Sequence, residues 1–348
     1  MIYLGFLPTW VPRFSALLSY SANTLLIYLI LTKTKLSIGT YKYVLICFAL
    51  FDTAYTSMEL MCEMGTHGYK DSFIIFIAQG PFHHDVFAGQ IILAVRCCFI
   101  SLSYGILGIH FIYRYIALCR PNLLYIFGKP LYILGFFVFF ILHGVAWAGV
   151  SFFVLYGDDE LQKYVNDAFI ESYNASSIGV PMLGCIYKNI HESARAWIGM
   201  SVITGISCYA IIFYTVLGHK MYKKLNNTSI SKFSTSIHRQ LLKALIVQTV
   251  IPFSISYLPC VVAWYTPVIG YSLGKYNNYY TIIFLSFFPF LDPIAIILFL
   301  TDYREAVLRM IGVKKTFSNT VTHIASSNMF TRELSTIIND RKKKVITT

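Results

Sequence analysis

Seven separate runs of mainly apolar residues constrain this chain more than any other feature. They lie at 14–32, 43–62, 89–113, 130–155, 197–217, 243–265 and 279–300. A bilayer-spanning helix needs about 20 such residues, and a helix satisfies its own backbone inside hydrocarbon. Composition agrees: 56% of residues are hydrophobic and 13% charged, where a soluble domain carries about a quarter charged. The expected fold is an all-α membrane protein, a bundle of seven transmembrane helices over 14–300.

Charge is divided between alternate connections. Lys33, Lys35 and Lys42 follow the first run, and Arg114, Arg120 and Lys129 the third. Lys220, Lys223, Lys224, Lys232 and Arg239 follow the fifth, and none of these three groups contains an acid. The connection after the second run carries Asp71 and Asp85 against Lys70. That after the fourth carries Asp158, Asp159, Glu160, Asp167, Glu171 and Glu192 against Lys163, Lys188 and Arg195. Lysine and arginine bias in short loops sets orientation, so residues 1–13 are expected outside and the carboxyl end inside. The net charge of +12 then belongs to the cytoplasmic face, and no nucleic-acid partner is needed to explain it. Asn174-Ala175-Ser176 is a glycosylation sequon in the acidic connection. Asn226 and Asn227 head sequons in a connection expected inside, and should stay bare. The opening residues lack the basic start and cleavage site of a signal peptide, so the first span is expected to serve as its own insertion signal.

No catalytic signature is present: there is no GxSxG, no GxxxxGK[ST] and no HExxH. No cofactor is expected. Of eight cysteines, Cys47, Cys97, Cys98, Cys208 and Cys260 sit inside apolar runs as small hydrophobes. His67, His83, His84 and Asp85 share the connection after span 2. A metal site there is outweighed by the plainer reading of polar residues on a solvated loop.

Polar residues inside spans are costly and usually face the bundle interior. Asn23, Asp52 and Asp292 fall at intermediate depth and are expected to form one buried network. Whether it only holds helices together or also takes part in switching stays open. Arg96 stands about two turns into span 3, within reach of Glu59 or Glu63 or of an anionic or carbonyl-bearing ligand. Phe99, Ser103, Leu107 and His110 share its helix face, which makes Arg96, Phe99 and Ser103 the candidate pocket lining. Pro252 and Pro259 in span 6, and Pro293 after Asp292 in span 7, each remove a backbone donor and favour a kink. Residues 301–315 read as an amphipathic helix on the membrane surface, with Tyr303, Val307, Met310 and Ile311 on one face. Residues 316–348 form a polar tail, basic at 341–344, expected to be disordered and cytoplasmic.

The stretches "NTLLIYLILTKTKLSIGTYKYVLICFALFD", "GIHFIYRYIALCRP", "RQLLKALIVQTVIPFSISYLP" and "FFPFLDPIAIILFLTDYR" resemble the nematode chemosensory serpentine receptors. The nearest likeness is to the Str type, serpentine receptor class r with its Srj relatives. It covers nearly the whole chain, and the Tyr-Arg-Tyr, Gln-Thr-x-x-Pro and Leu-Asp-Pro elements carry it in combination. The resemblance implies an olfactory-type G-protein-coupled receptor in the plasma membrane, typically of a sensory-neuron cilium. Its partners would be a small-molecule odorant or other chemical cue, a heterotrimeric G protein and the lipid bilayer. Tyr113, Arg114 and Tyr115 would form the coupling switch. Asn23, Asp52, Pro252, Pro259, Asp292 and Pro293 would be transmission elements.

The chain departs from rhodopsin-like receptors in three ways. Tyr113 replaces the acid before the arginine, and Ile296 replaces the tyrosine of the span 7 element. The position near Gly89, where those receptors place a disulfide-forming cysteine, has none. A bond between Cys62 and Cys185 is the alternative. Two rivals to a receptor remain: an odorant-gated cation channel with a cytoplasmic amino terminus, and a small-molecule transporter with internal repeats. No repeat is visible.

Overall fold

The computed structural model describes residues 1–34, 39–188, 190–227 and 232–313; Lys35, Lys314, Lys315 and the tail lie outside them. The chain divides into two units, Met1–Tyr303 and Arg304–Thr348. Seven helices are long and apolar enough to cross a membrane, and they fall on the seven expected runs.

The first four spans are α1 (Phe6–Lys33), α2 (Tyr41–Met61), α3 (Val86–Cys119) and α4 (Pro130–Gly149), the last extended by a π-helical turn at Val150–Val154. A short helix, α5 (Asp159–Tyr173), precedes span 5, α6 (Ile190–Asn227). Span 6 is α7 (Lys232–Pro252), a π-turn at Phe253–Tyr257 and α8 (Leu258–Tyr265). Span 7 opens with a π-turn at Asn278–Ile282 and continues as α9 (Ile283–Phe299), after which comes α10 (Thr301–Met310). The π-turn of span 6 lies between Pro252 and Pro259, two residues that have no N–H to give to the regular ladder. Pro259 lies near the start of α8, which continues from the π-turn with Tyr257 and Leu258 helical, so its missing N–H also removes a bond within span 6.

The connection after span 2 is not a solvated loop. It forms an antiparallel hairpin, β1 (Glu63–Tyr69) and β2 (Ser72–Gln79), joined by the two residues Lys70 and Asp71. Lys70 takes a left-handed φ of 47°, as tight hairpin turns require. A third strand, β3 (Met182–Ile186), pairs with β2 in the order β1-β2-β3. Both faces of β2 are covered. Ile74, Phe76 and Ala78 pack with Val165 and Phe169 of α5, and Ile77 packs with Met58, Leu93 and Ala94 of the bundle. Gly65 admits this arrangement, since an added Cβ would lie 2.4 Å from the Phe76 ring. Ile2 and Leu4 join the hairpin–α5 cluster, and Ile2 N–H donates to the Ala78 carbonyl at 2.9 Å. The chain before residue 14 is therefore built into the fold, and α1 starts at Phe6.

His67, expected on a solvated loop, is 1% exposed. Its ring meets Tyr173 edge-on, with centroids 5.5 Å apart. Thr66 N–H donates to Asn278 Oδ1 at 2.7 Å, and Asn278 Nδ2 donates to the Tyr173 hydroxyl at 2.8 Å. Burial pushes His67 down to about 4. His83 turns away, meeting the Ile77 carbonyl through Nδ1 at 2.9 Å. Among the described residues no three His, Cys, Asp or Glu side chains gather as a metal site.

Candidate functional site

Arg96 lies at the hairpin end of α3 and is 3% exposed. A buried arginine needs a countercharge, and Glu59 of α2 supplies it at 2.5 Å. The guanidinium also lies over the Tyr55 ring, 4.7 Å from its centroid. Glu63 is engaged elsewhere: Arg13 of α1 holds it at 2.8 Å. Both ion pairs border one cavity of about 40 Å³ between α1, α2, α3, the hairpin and span 7.

The other two expected pocket residues do not join Arg96. Phe99 stacks on Phe51, with centroids 5.9 Å apart, and lines an apolar groove of about 590 Å³ between α2, α3 and α4. The Ser103 hydroxyl donates to the Ile100 carbonyl at 2.6 Å and so is spent within its own helix. Leu107 lines a third space, about 200 Å³ between α3, α6 and span 6, beside Tyr104, Tyr214, Pro252 and Tyr257. A shared helix face does not make one pocket, because three different neighbours cover successive turns of α3.

At the other end of α3, Arg114 is buried and lies over the Tyr41 ring of α2, 3.4 Å from its centroid. The sequence places this cation at the membrane edge, reaching headgroups or water. The fold turns it inward instead, onto an aromatic face. Tyr41 is fixed in turn by its hydroxyl, 2.9 Å from His110 Nδ1. Tyr113 bonds to Thr40 Oγ1 through its hydroxyl at 2.7 Å and packs edge-on against Phe127. Tyr115 is half-buried against the main core, with Lys220 Nζ 6.0 Å from its ring centroid. Sequence reading missed Tyr41; an aromatic at the start of span 2 was the available signal.

Between these ends, the expected network of Asn23, Asp52 and Asp292 is divided. Pro293 has no N–H, so it cannot donate to the carbonyl four residues earlier, that of Pro289. Asn23 Nδ2 fills this gap at 3.0 Å and Ser19 Oγ at 3.2 Å. Asp292 accepts from Gln248 Nε2 of α7 at 3.2 Å. Asp52 interacts electrostatically with Asp292, but its carboxylate has no hydrogen-bond partner among the described residues. Asn23 thus serves the span 7 backbone rather than the two acids.

Asn174 is exposed at the carboxyl end of α5, in the left-handed conformation. Cys62 and Cys185 form no disulfide. Cys62 adjoins Glu63, which pairs with Gln79, whereas Cys185 pairs with Phe73. Six residues of β2 separate those two register positions, roughly 20 Å of strand, and a disulfide needs Cα atoms within about 7 Å.

A model of the family described as "Serpentine type 7TM GPCR chemoreceptor Srj" matches residues 2–307. The chain is 32% identical to serpentine receptor class J-38 of Caenorhabditis elegans, over 86% of this chain and 91% of that one. It is 30% identical to serpentine receptor class r-10 of the same nematode, over 86% and 89%. G-protein coupled receptor str-33, also from C. elegans, is 25% identical over 86% and 89%. The family match runs through all seven spans, the Arg114 element and the kinked seventh helix, and the chain is a multi-pass membrane protein belonging to the Srj family of seven-transmembrane G-protein-coupled chemoreceptors.

Proposed function

We propose that this receptor binds a small chemical cue among its helices near the hairpin end and passes the event to a heterotrimeric G protein at the Arg114 end. The amino terminus and hairpin face outside, the basic segment from Lys220 to Arg239 faces the cytoplasm, and the site of action is a sensory-neuron cilium. The lysine and arginine asymmetry supports this orientation. The family is one of receptors, and no reaction is assigned to the chain.

Burial of Arg114 against Tyr41 carries the reading. A cation held on an aromatic face in a protein that must reach a partner describes a resting restraint. Ligand binding would favour a state in which span 6 swings about Pro252 and its π-turn, exposing Arg114. The ligand shifts this balance only by its differential affinity for the two states. Agonist-driven nucleotide exchange on a G protein, compared between the native chain and Arg114→Ala, tests it. Equal exchange in both removes Arg114 from the mechanism. Glycosylation of Asn174 in cells separates this orientation from that of an odorant-gated channel with a cytoplasmic amino terminus.

A further inference from the structure

The apolar groove between α2, α3 and α4 holds about 590 Å³ and takes no part in the function proposed above. Apart from Tyr43 and Cys47 its lining is hydrocarbon, much of it the rings of Phe51, Phe99, Phe136 and Phe140. On its rim Tyr43, Leu50, Ile133 and Phe137 are exposed. In a spanning bundle that exposure is to lipid, so the groove continues the face that the bilayer covers. Along α2 it runs from Tyr43 to Ala54, about 16 Å at helical rise. That is half of a hydrocarbon core of about 30 Å, the depth of one leaflet. Spread over this length, the volume gives a cross-section of roughly 35 Å², wider than one extended hydrocarbon chain.

Two cations mark one end of the groove. Lys42 precedes Tyr43, and its Nζ lies 5.1 Å from that ring centroid. Lys129 caps the amino end of α4, one turn before Ile133, whose N–H donates to the Lys129 carbonyl at 3.1 Å. Tyr113 ties the two places together. Its hydroxyl bonds Thr40, two residues before Lys42, and its ring packs on Phe127, two residues before Lys129. Neither lysine pairs with a carboxylate among the described residues. The lining at the far end, at Ala54, Phe99 and Phe140, is uncharged. A sterol hydroxyl would leave both lysines without a countercharge, and a single-chain anion would leave the width unfilled. An anion carrying two chains meets both needs.

We infer that the groove binds an anionic phospholipid of the cytoplasmic leaflet, its phosphate held between Lys42 and Lys129 and its two acyl chains against the phenylalanine rings. Lysines at the membrane edge attract such lipids. The chains also meet Phe127, which packs on Tyr113 beside Arg114, so the lipid touches the Arg114 element from the membrane side. The choice of leaflet rests on the orientation proposed above.

The test places the full chain in phosphatidylcholine nanodiscs holding a trace of a photoactivatable probe, either phosphatidylserine or phosphatidylcholine with the same acyl chains. Labelled peptides are then mapped. Phosphatidylserine is expected to label residues 43–54 and 133–140 at least about tenfold more than the phosphatidylcholine probe does. Unlabelled phosphatidylserine should displace it, and cholesterol should not. Lys42→Gln and Lys129→Gln should each weaken labelling about fivefold, and together bring the two probes close to equal. Label spread evenly over all lipid-facing helices, equal labelling by the two probes, displacement by cholesterol in place of phosphatidylserine, or an undiminished preference in the double variant overturns the inference. Nanodiscs offer the probe on both faces, so labelling does not depend on orientation. Specific labelling together with an unglycosylated Asn174 in cells would uphold the lipid site and remove its assignment to the cytoplasmic leaflet.

Discussion

Asn23 Nδ2 donates at 3.0 Å to the carbonyl of Pro289, an acceptor that Pro293 removes from the hydrogen-bond ladder of span 7. A proline kink buried in a bundle needs such a donor, because hydrocarbon supplies none. Ser19 reaches the same oxygen, and the Ser15 hydroxyl donates to the nearby Ser286 carbonyl at 2.6 Å. Span 1 therefore acts as a polar brace along the bent helix.

Replacing Asn23 with Leu should cost about 1–2 kcal/mol, since a buried acceptor loses a partner. Ser19 limits the damage. Thermal unfolding of the purified receptor measures the effect, and an unchanged midpoint would show that Ser19 alone suffices.

Tyr41 should restrain Arg114 mainly through its ring, with its hydroxyl as a second contact. A desolvated cation–π contact is worth about 2 kcal/mol, so Tyr41→Leu is expected to raise ligand-free G-protein activation several-fold. Tyr41→Phe keeps the ring, loses the hydroxyl contacts to His110 and Arg114, and should fall between the native level and that of Tyr41→Leu. If both variants behave alike, the ring is not the restraint.

Acid should loosen the hairpin through His67. Burial lowers its folded value to about 4 from an ordinary 6.5. The neutral imidazole is favoured in the fold, so the stabilisation is complete above pH 6.5 and declines as pH falls towards 4. The full span corresponds to about 3 kcal/mol. Hydrogen exchange of amides 63–79 at pH 7 and pH 5 reads this directly. His67→Leu should remove most of the pH dependence; its persistence would point to another group.

Reducing agent should leave the unfolding temperature of the receptor unchanged, because Cys62 and Cys185 are not bonded to each other. Loss of a native disulfide typically costs about 2–5 kcal/mol, so a clear fall in stability on reduction would contradict the structure.

Much of the bundle was legible because a bilayer permits few solutions. Residue type and run length locate each span, and the prolines of spans 6 and 7 announce where the ladder breaks. The hairpin was less legible. Its strand Ser72–Gln79 is apolar on both faces, packed between α5 and the bundle, so it lacks the alternation that marks a half-exposed strand. Its turn, Lys70-Asp71, lacks the glycine that usually signals a tight hairpin. Reach alone allowed Arg96 an acid of span 2 or a ligand, and could not choose between Glu59 and Glu63. Arg13 decides it by taking Glu63.

Local rules also name what two groups lack: a countercharge for Arg96 and a donor for the carbonyl freed by Pro293. These needs follow from residue type and helix period, and the sequence by itself determined them together with the spans. Only the tertiary structure decided how they are met, with Glu59 for Arg96 and Asn23 for Pro289, and it alone turned Arg114 inward onto the Tyr41 ring. Each partner comes from another helix, and which side chains meet depends on packing angles and rotations that one-dimensional spacing does not encode. The same cause divided the face of α3 among three separate spaces, because different neighbours cover its successive turns.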